Sequence, residues 1–188
     1  MLWLCVGVLW WAVVHLTPSV APGFRSSMIE RYGEKPWRAL FAVDIVFALA
    51  LMVFGWRSIT PQILYLPPIW APHAALLLMA VSVFLFGAAQ GKSSIKRVVR
   101  HPMLSSVVVW SVAHLLANGD TRSLVLFGGL GAWAVIEMLL ISRREGPWSK
   151  PDAAPPGSEI KALAITAVVY IVLVFLHPYF AGVSPIPG

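Results

Sequence analysis

Residues 36–56 read PWRALFAVDIVFALALMVFGW. Between Arg38 and Arg57 the run carries a single charged residue, Asp44. Coiled as an α-helix it is about 32 Å long, which matches the hydrocarbon core of a bilayer. Pro36 suits a first helical turn, where its missing N–H costs nothing. A helix apolar on every side has no water-facing stripe, so it belongs in a large core or in lipid. In lipid it also satisfies its own backbone groups, as any spanning segment must.

Five more runs of this kind surround it, at residues 1–17, 71–90, 102–118, 122–142 and 161–180. Pro102 opens the fourth and Asn118-Gly119 closes it, while Pro178 lies near the end of the sixth. The run 1–17 has no basic leader and no small-x-small cleavage site, so it reads as a retained first helix and not a signal peptide. Of the 188 residues, 59% are hydrophobic and 12% charged, with a mean hydropathy of +0.79. A soluble domain carries about twice that charge. A soluble enzyme, a disordered tail and a secreted disulfide scaffold are thereby excluded. Cys5 is the lone cysteine, so neither an intrachain disulfide nor a multi-cysteine metal site is possible.

The formal charge is +6. The basic residues sit in short connections between apolar runs, which points to membrane topology and away from nucleic acid. Arg25, Arg31, Lys35 and Arg38 follow the first run. Lys92, Lys96, Arg97 and Arg100 follow the third, and Arg143, Arg144, Lys150 and Lys161 the fifth. The other connections hold only Arg57 and Arg122. The positive-inside rule then places the three basic connections in the cytoplasm and both termini outside. Trp56, Tyr65 and Trp70 flank the second connection, at the level of an aromatic belt. Residues 24–34 are expected to form a short helix on the cytoplasmic surface, and the Pro- and Gly-rich stretch 145–160 a flexible loop. Gly128 and Ala132 are four apart, and so offer one small-residue face for close helix contact. The expected fold is all-α: a single domain over 1–188, a polytopic membrane bundle of about six transmembrane helices.

Ionisable groups at membrane depth are costly and therefore mark candidate sites. His15 is late in the first helix, His73 starts the third, and His101 starts the fourth. His114 is late in the fourth and His177 near the end of the sixth. Asp44 lies inside the second helix and Glu137 inside the fifth. His73 and His177, near the outer interface, read most simply as amphipathic interface residues, and His101, beside Arg100, as a cap or a lipid-headgroup contact. The two acids are expected to pair with a histidine or arginine across the bundle. His15 and His114 have apolar neighbours on both sides. Neutral imidazole is the commonest metal ligand, and histidines on separate helices of an apolar bundle suit haem iron. A zinc site would need close-spaced ligands, which the sequence lacks.

Three stretches are more specific. Residues 100–120 read RHPMLSSVVVWSVAHLLANGD, residues 15–41 read HLTPSVAPGFRSSMIERYGEKPWRALF, and residues 127–137 read FGGLGAWAVIE. Together, and in this order over nearly the whole chain, they resemble the NnrU family of bacterial membrane proteins. The 15-cis-ζ-carotene isomerase of plants and cyanobacteria is a more distant relative. The resemblance implies a multi-pass protein of the bacterial inner membrane, linked to denitrification and nitric oxide metabolism, in which the outside termini read from the basic residues would be periplasmic. The isomerase binds haem b and isomerises a cis double bond of a lipophilic polyene. Its haem-ligating histidines match His15 and His114 here, so the resemblance implies those two as ligands to the iron. Its redox-linked cysteine has Ser111 in its place, and that thiol switch does not carry over.

Helical rise raises a difficulty with that pair. His15 lies about 20 Å from the outer end of its helix and His114 about 21 Å from the inner end of its own. Across a core of about 30 Å their backbones differ in depth by roughly 10 Å. Two axial ring nitrogens on one iron stand about 4 Å apart. His15 with His101 is the competing pair on the inner side, and His114 with His73 or His177 on the outer side. A carrier or sensor for a small nitrogen-oxide species or a proton, needing no cofactor, is the alternative function. A partner role in assembling another membrane complex is a third.

Overall fold

The computed structural model describes residues 1–186. Seven helices account for about three quarters of it: α1 (Leu2–Val20), α2 (Pro22–Tyr32), α3 (Glu34–Arg57), α4 (Ala71–Gln90), α5 (Pro102–Ala117), α6 (Thr121–Glu145) and α7 (Pro156–Ala181). A 3₁₀ turn, Ser94–Arg97, lies between α4 and α5. Helices α1, α3, α4, α6 and α7 are long and apolar enough to cross a membrane. The sixth apolar helix, α5, is shorter at 16 residues because Pro102 and the Asn118-Gly119 pair bound it. Its spans about 24 Å, and its neighbours α4 and α6 flank it along both sides. The expected all-α membrane bundle is therefore the fold.

Helix boundaries follow local chemistry. Gly33, at φ 90°, adopts a backbone conformation closed to residues with a Cβ and separates the surface helix α2 from α3. Gly146, at φ 70°, ends α6 in the same way. The flexible stretch expected over 145–160 is shorter than that. Pro156 falls in the first turn of α7, where proline is pre-set for a helix, so the last helix begins five residues before Lys161. Asp120 caps α6: its Oδ1 accepts from the backbone N–H groups of Arg122 and Ser123 at 3.0 Å each, and its Oδ2 accepts from the Ser123 hydroxyl at 2.7 Å. Asp120→Ala is expected to cost about 1 kcal/mol, measured as reversible unfolding in detergent.

The long helices stand in a row of neighbours, α3, α1, α6, α5, α4, α7. This order is not the chain order. α6 occupies the middle and runs parallel to α1: Val8 faces Gly129, Trp11 meets Trp133, and Ser19 meets Glu137. α3 closes one edge of the row and α7 the other. α7 packs along α4 and has no buried residue.

A π turn at Leu124–Gly128 interrupts α6. Its extra residue rotates everything after it by about 100° relative to a straight helix. The small-residue face is consequently not Gly128 with Ala132. A Cβ on Gly128 would touch only Leu124 of its own helix, and Ala132 is exposed. The close contacts fall instead at Gly129, against Val8 of α1, and at Gly131, against Ser111 of α5.

Candidate functional site

The five histidines separate into distinct places. His114, late in α5, and His177, near the end of α7, line one cavity of about 660 Å³ enclosed by α4, α5 and α7. Their rings lie 6.5 Å apart between centroids, with planes 27° from parallel. The cavity exists because α7 leans on α4 and leaves a slot between itself and α5. Its walls are mostly apolar, including Leu76, Met79, Phe86, Val107 and Leu173. Asn118 and Ser184 add polarity at the end where the histidines sit.

Both rings are held the same way. His114 Nδ1 lies 2.9 Å from the Trp110 carbonyl and His177 Nδ1 lies 2.8 Å from the Val183 carbonyl. A carbonyl only accepts, so each Nδ1 carries the proton and each neutral ring keeps its lone pair on Nε2. Metal-ligating histidines are oriented by this kind of outer hydrogen bond. Phe127 stacks on His114 at 4.4 Å and Trp110 leans on it at 4.9 Å, so the ring has little freedom to turn.

His15 belongs to a second centre, between α1, α3 and α6. Its Nδ1 donates to the Trp11 carbonyl at 2.9 Å. The ring stacks on Trp11 at 4.1 Å and meets Trp133 at 4.9 Å and Phe41 at 5.4 Å. One turn further along, Ser19 donates its hydroxyl to Glu137 Oε1 at 2.7 Å. The Trp11 and Trp133 indole N–H groups and Glu137 Oε2 are buried without partners among the described residues.

The structure does not bring His15 and His114 together. On α6, the His114 neighbour Phe127 and the His15 neighbour Trp133 are six residues apart, a rise of about 9 Å. That agrees with the depth difference read from the sequence. His101 is elsewhere again, at the start of α5, with Nε2 2.8 Å from the Ser142 hydroxyl and the Arg100–Glu145 ion pair beside it at 3.4 Å. His73 is exposed near the start of α4. The expected cross-bundle pairing of the acids does not occur. Among the described residues no histidine or arginine forms an ion pair with either carboxylate; Asp44 accepts from the Trp10 indole at 3.2 Å, and Glu137 accepts from Ser19, whose hydroxyl also lies 3.4 Å from Arg144. The His114–His177 pair could be found from the sequence only as one of several options, since nothing in it says that α7 lies across a slot from α5.

His101 supplies a pH prediction. Burial first, then the Arg100 guanidinium, push its pKa below the ordinary value, against a smaller upward pull from Glu145. The folded protein thus favours the neutral ring. That stabilisation is present above about pH 6.5 and is lost as pH falls through the lower folded value. The melting temperature in detergent is expected to drop between pH 7.5 and pH 5, and to drop less in His101→Gln.

A fit to haem can be tested on these atoms. Metal–imidazole distances of about 2 Å put the centroids of two axial rings about 6 Å apart, and 6.5 Å separates His114 from His177. Both rings line an apolar cavity of ligand size, each with Nδ1 on a carbonyl, which leaves Nε2 as the lone-pair nitrogen of the neutral form. The donor set fits haem iron better than a hydrated divalent cation, and no cluster of three or more metal-ligating side chains occurs among the described residues. No curated protein and no solved structure shows a match to the chain. The family described as NnrU protein matches residues 3–185, nearly the whole length. With that match over an all-helical membrane fold, the chain belongs to the NnrU family.

Proposed function

We propose that this protein binds haem b within the membrane, with His114 as an iron ligand and His177 as the second. The observation that carries this reading is the pair of imidazoles 6.5 Å apart at the polar end of an apolar cavity. Bound there, haem would supply electron exchange and Lewis acidity. The chain's own groups do the rest. The Trp110 and Val183 carbonyls hold each ring in the Nδ1–H tautomer. Phe127 covers one face of His114. The apolar walls keep water away and accept a lipophilic small molecule, as a haem-dependent polyene isomerase requires. The reading places the protein in the bacterial inner membrane, with its basic connections in the cytoplasm.

The test is an absorption spectrum, oxidised and dithionite-reduced, of protein purified in detergent from cells supplied with haem precursor. A Soret band with sharp reduced α and β bands is expected. A featureless spectrum from folded protein overturns the proposal and raises the cofactor-free carrier reading above it.

A further inference from the structure

Residues 58–70, SITPQILYLPPIW, connect α3 to α4 without a single charge. The connections at the opposite end of the bundle, with the helix ends beside them, are basic. This difference is matched by exposure. Ile63 is 74% exposed, Leu66 80% and Ile69 94%, with Trp70 also exposed beside them. Side chains so apolar on a loop exclude water poorly and cost free energy if they face it.

Part of this loop's backbone is tied to the α5–α6 junction. Leu64 and Tyr65 donate their N–H groups to the Gly119 carbonyl at 2.7 and 3.1 Å. Gln62 donates its N–H to the Thr121 hydroxyl at 3.3 Å and accepts from the Thr121 N–H at 2.9 Å. Ser58 donates to Phe54 at the end of α3. Pro61, Pro67 and Pro68 have no N–H to satisfy. The Tyr65 hydroxyl reaches the carbonyls of Leu115 and Asn118. The polar side of the loop is thus turned onto the α5–α6 junction, and the apolar side is turned outwards. Irregular backbone is costly next to hydrocarbon because its polar groups go unpaired; the bonds of Gln62, Leu64 and Tyr65 remove part of that cost, and a seat at the headgroup level leaves the other groups within reach of water.

We infer that the 58–70 connection is a membrane-embedded wedge, seated at the headgroup–acyl boundary of the leaflet opposite the basic loops. Its occupant is lipid, because the surface is continuous with the apolar helix ends and offers no charge to a protein or to an anionic headgroup. Ile63, Leu66 and Ile69 are the inserted side chains, and Trp70 sits at the level of the headgroups as amphipathic rings do.

Site-directed spin labelling tests this. In a Cys5→Ser background, Leu66→Cys, Ile69→Cys and the reference Lys92→Cys are labelled with a nitroxide and placed in phosphatidylcholine nanodiscs. Collision rates are measured with oxygen, which partitions into acyl chains, and with a water-soluble nickel chelate. Labels at 66 and 69 are expected to favour oxygen and the label at 92 to favour nickel. Nickel preference at 66 and 69 overturns the inference by placing the loop in water. Shielding of both labels from both reagents overturns it too, because a protein partner then covers the loop.

Discussion

His114→Ala is expected to abolish the Soret band of purified protein, while His15→Ala leaves it in place. His114 lines the cavity with its Nδ1 fixed by the Trp110 carbonyl, so its removal takes away the proposed ligand, and no other histidine on α5 lines the cavity. Changes to groups that merely orient a ligand typically cost about 10- to 100-fold in metal affinity, and losing the ligand costs more. His177→Ala should behave differently. His177 sits on the helix at the edge of the row, and its loss leaves haem attached through His114 with an open position. The sharp reduced α and β bands are then expected to broaden, and the reduced protein to take up carbon monoxide. His15 packs among Trp11, Phe41 and Trp133 in a different centre, so its removal should leave all of these signals unchanged. Equal losses in His15→Ala and His114→Ala, with His177→Ala intact, would restore the pair implied by the family resemblance. They would also require α1 and α5 to slide by about 9 Å relative to one another.

Much of the fold is legible in the sequence because spans are defined by composition over about 20 residues. The run 71–90 coincides with α4, and Pro102 and Asn118-Gly119 bound α5 as read. What escapes is which helix neighbours which. In lipid the outward faces are as apolar as the inward ones, so no stripe marks a contact surface. The row α3, α1, α6, α5, α4, α7 therefore has no signature in residue order, and the meeting of His114 with His177, 63 positions later, depends on it. The sequence does expose the mismatch in depth between His15 and His114, because that follows from helical rise alone. The π turn is a further blind spot. It adds one residue to the register of α6 and moves the packing surface from Gly128 to Gly129 and Gly131. Trp10 as the donor to Asp44, and Ser19 as the donor to Glu137, were likewise unreadable, since each depends on the facing of two helices.

The second large effect is expected at Gly7, where α1 packs closely on the backbone of α3. A Cβ built there would lie 2.8 Å from the Met52 backbone nitrogen, 2.9 Å from Met52 Cγ and 3.0 Å from the Ala48 carbonyl oxygen. Favourable contacts to carbon begin near 3.5 Å. Two of these neighbours are backbone atoms of α3, so no rotamer change relieves the overlap and α1 must move bodily away. Leu4, Val8, Ala48 and Met52, the buried cluster of the α1–α3 seam, separate with it. In a membrane the hydrophobic effect does not reward keeping these helices together, and close van der Waals packing carries the association. Gly7→Ala is expected to destabilise by about 1–3 kcal/mol, and Gly7→Leu by more. Gly23→Ala is the control, since a Cβ there meets nothing within 4 Å. In helix α2 the same change should be neutral or stabilising, by up to about 1 kcal/mol, because alanine restricts the unfolded chain and favours the helix. Unfolding in mixed detergent micelles reads both. Equal, small effects at the two positions would mean that α1 and α3 are not packed backbone to backbone, and the edge of the row would have to be redrawn.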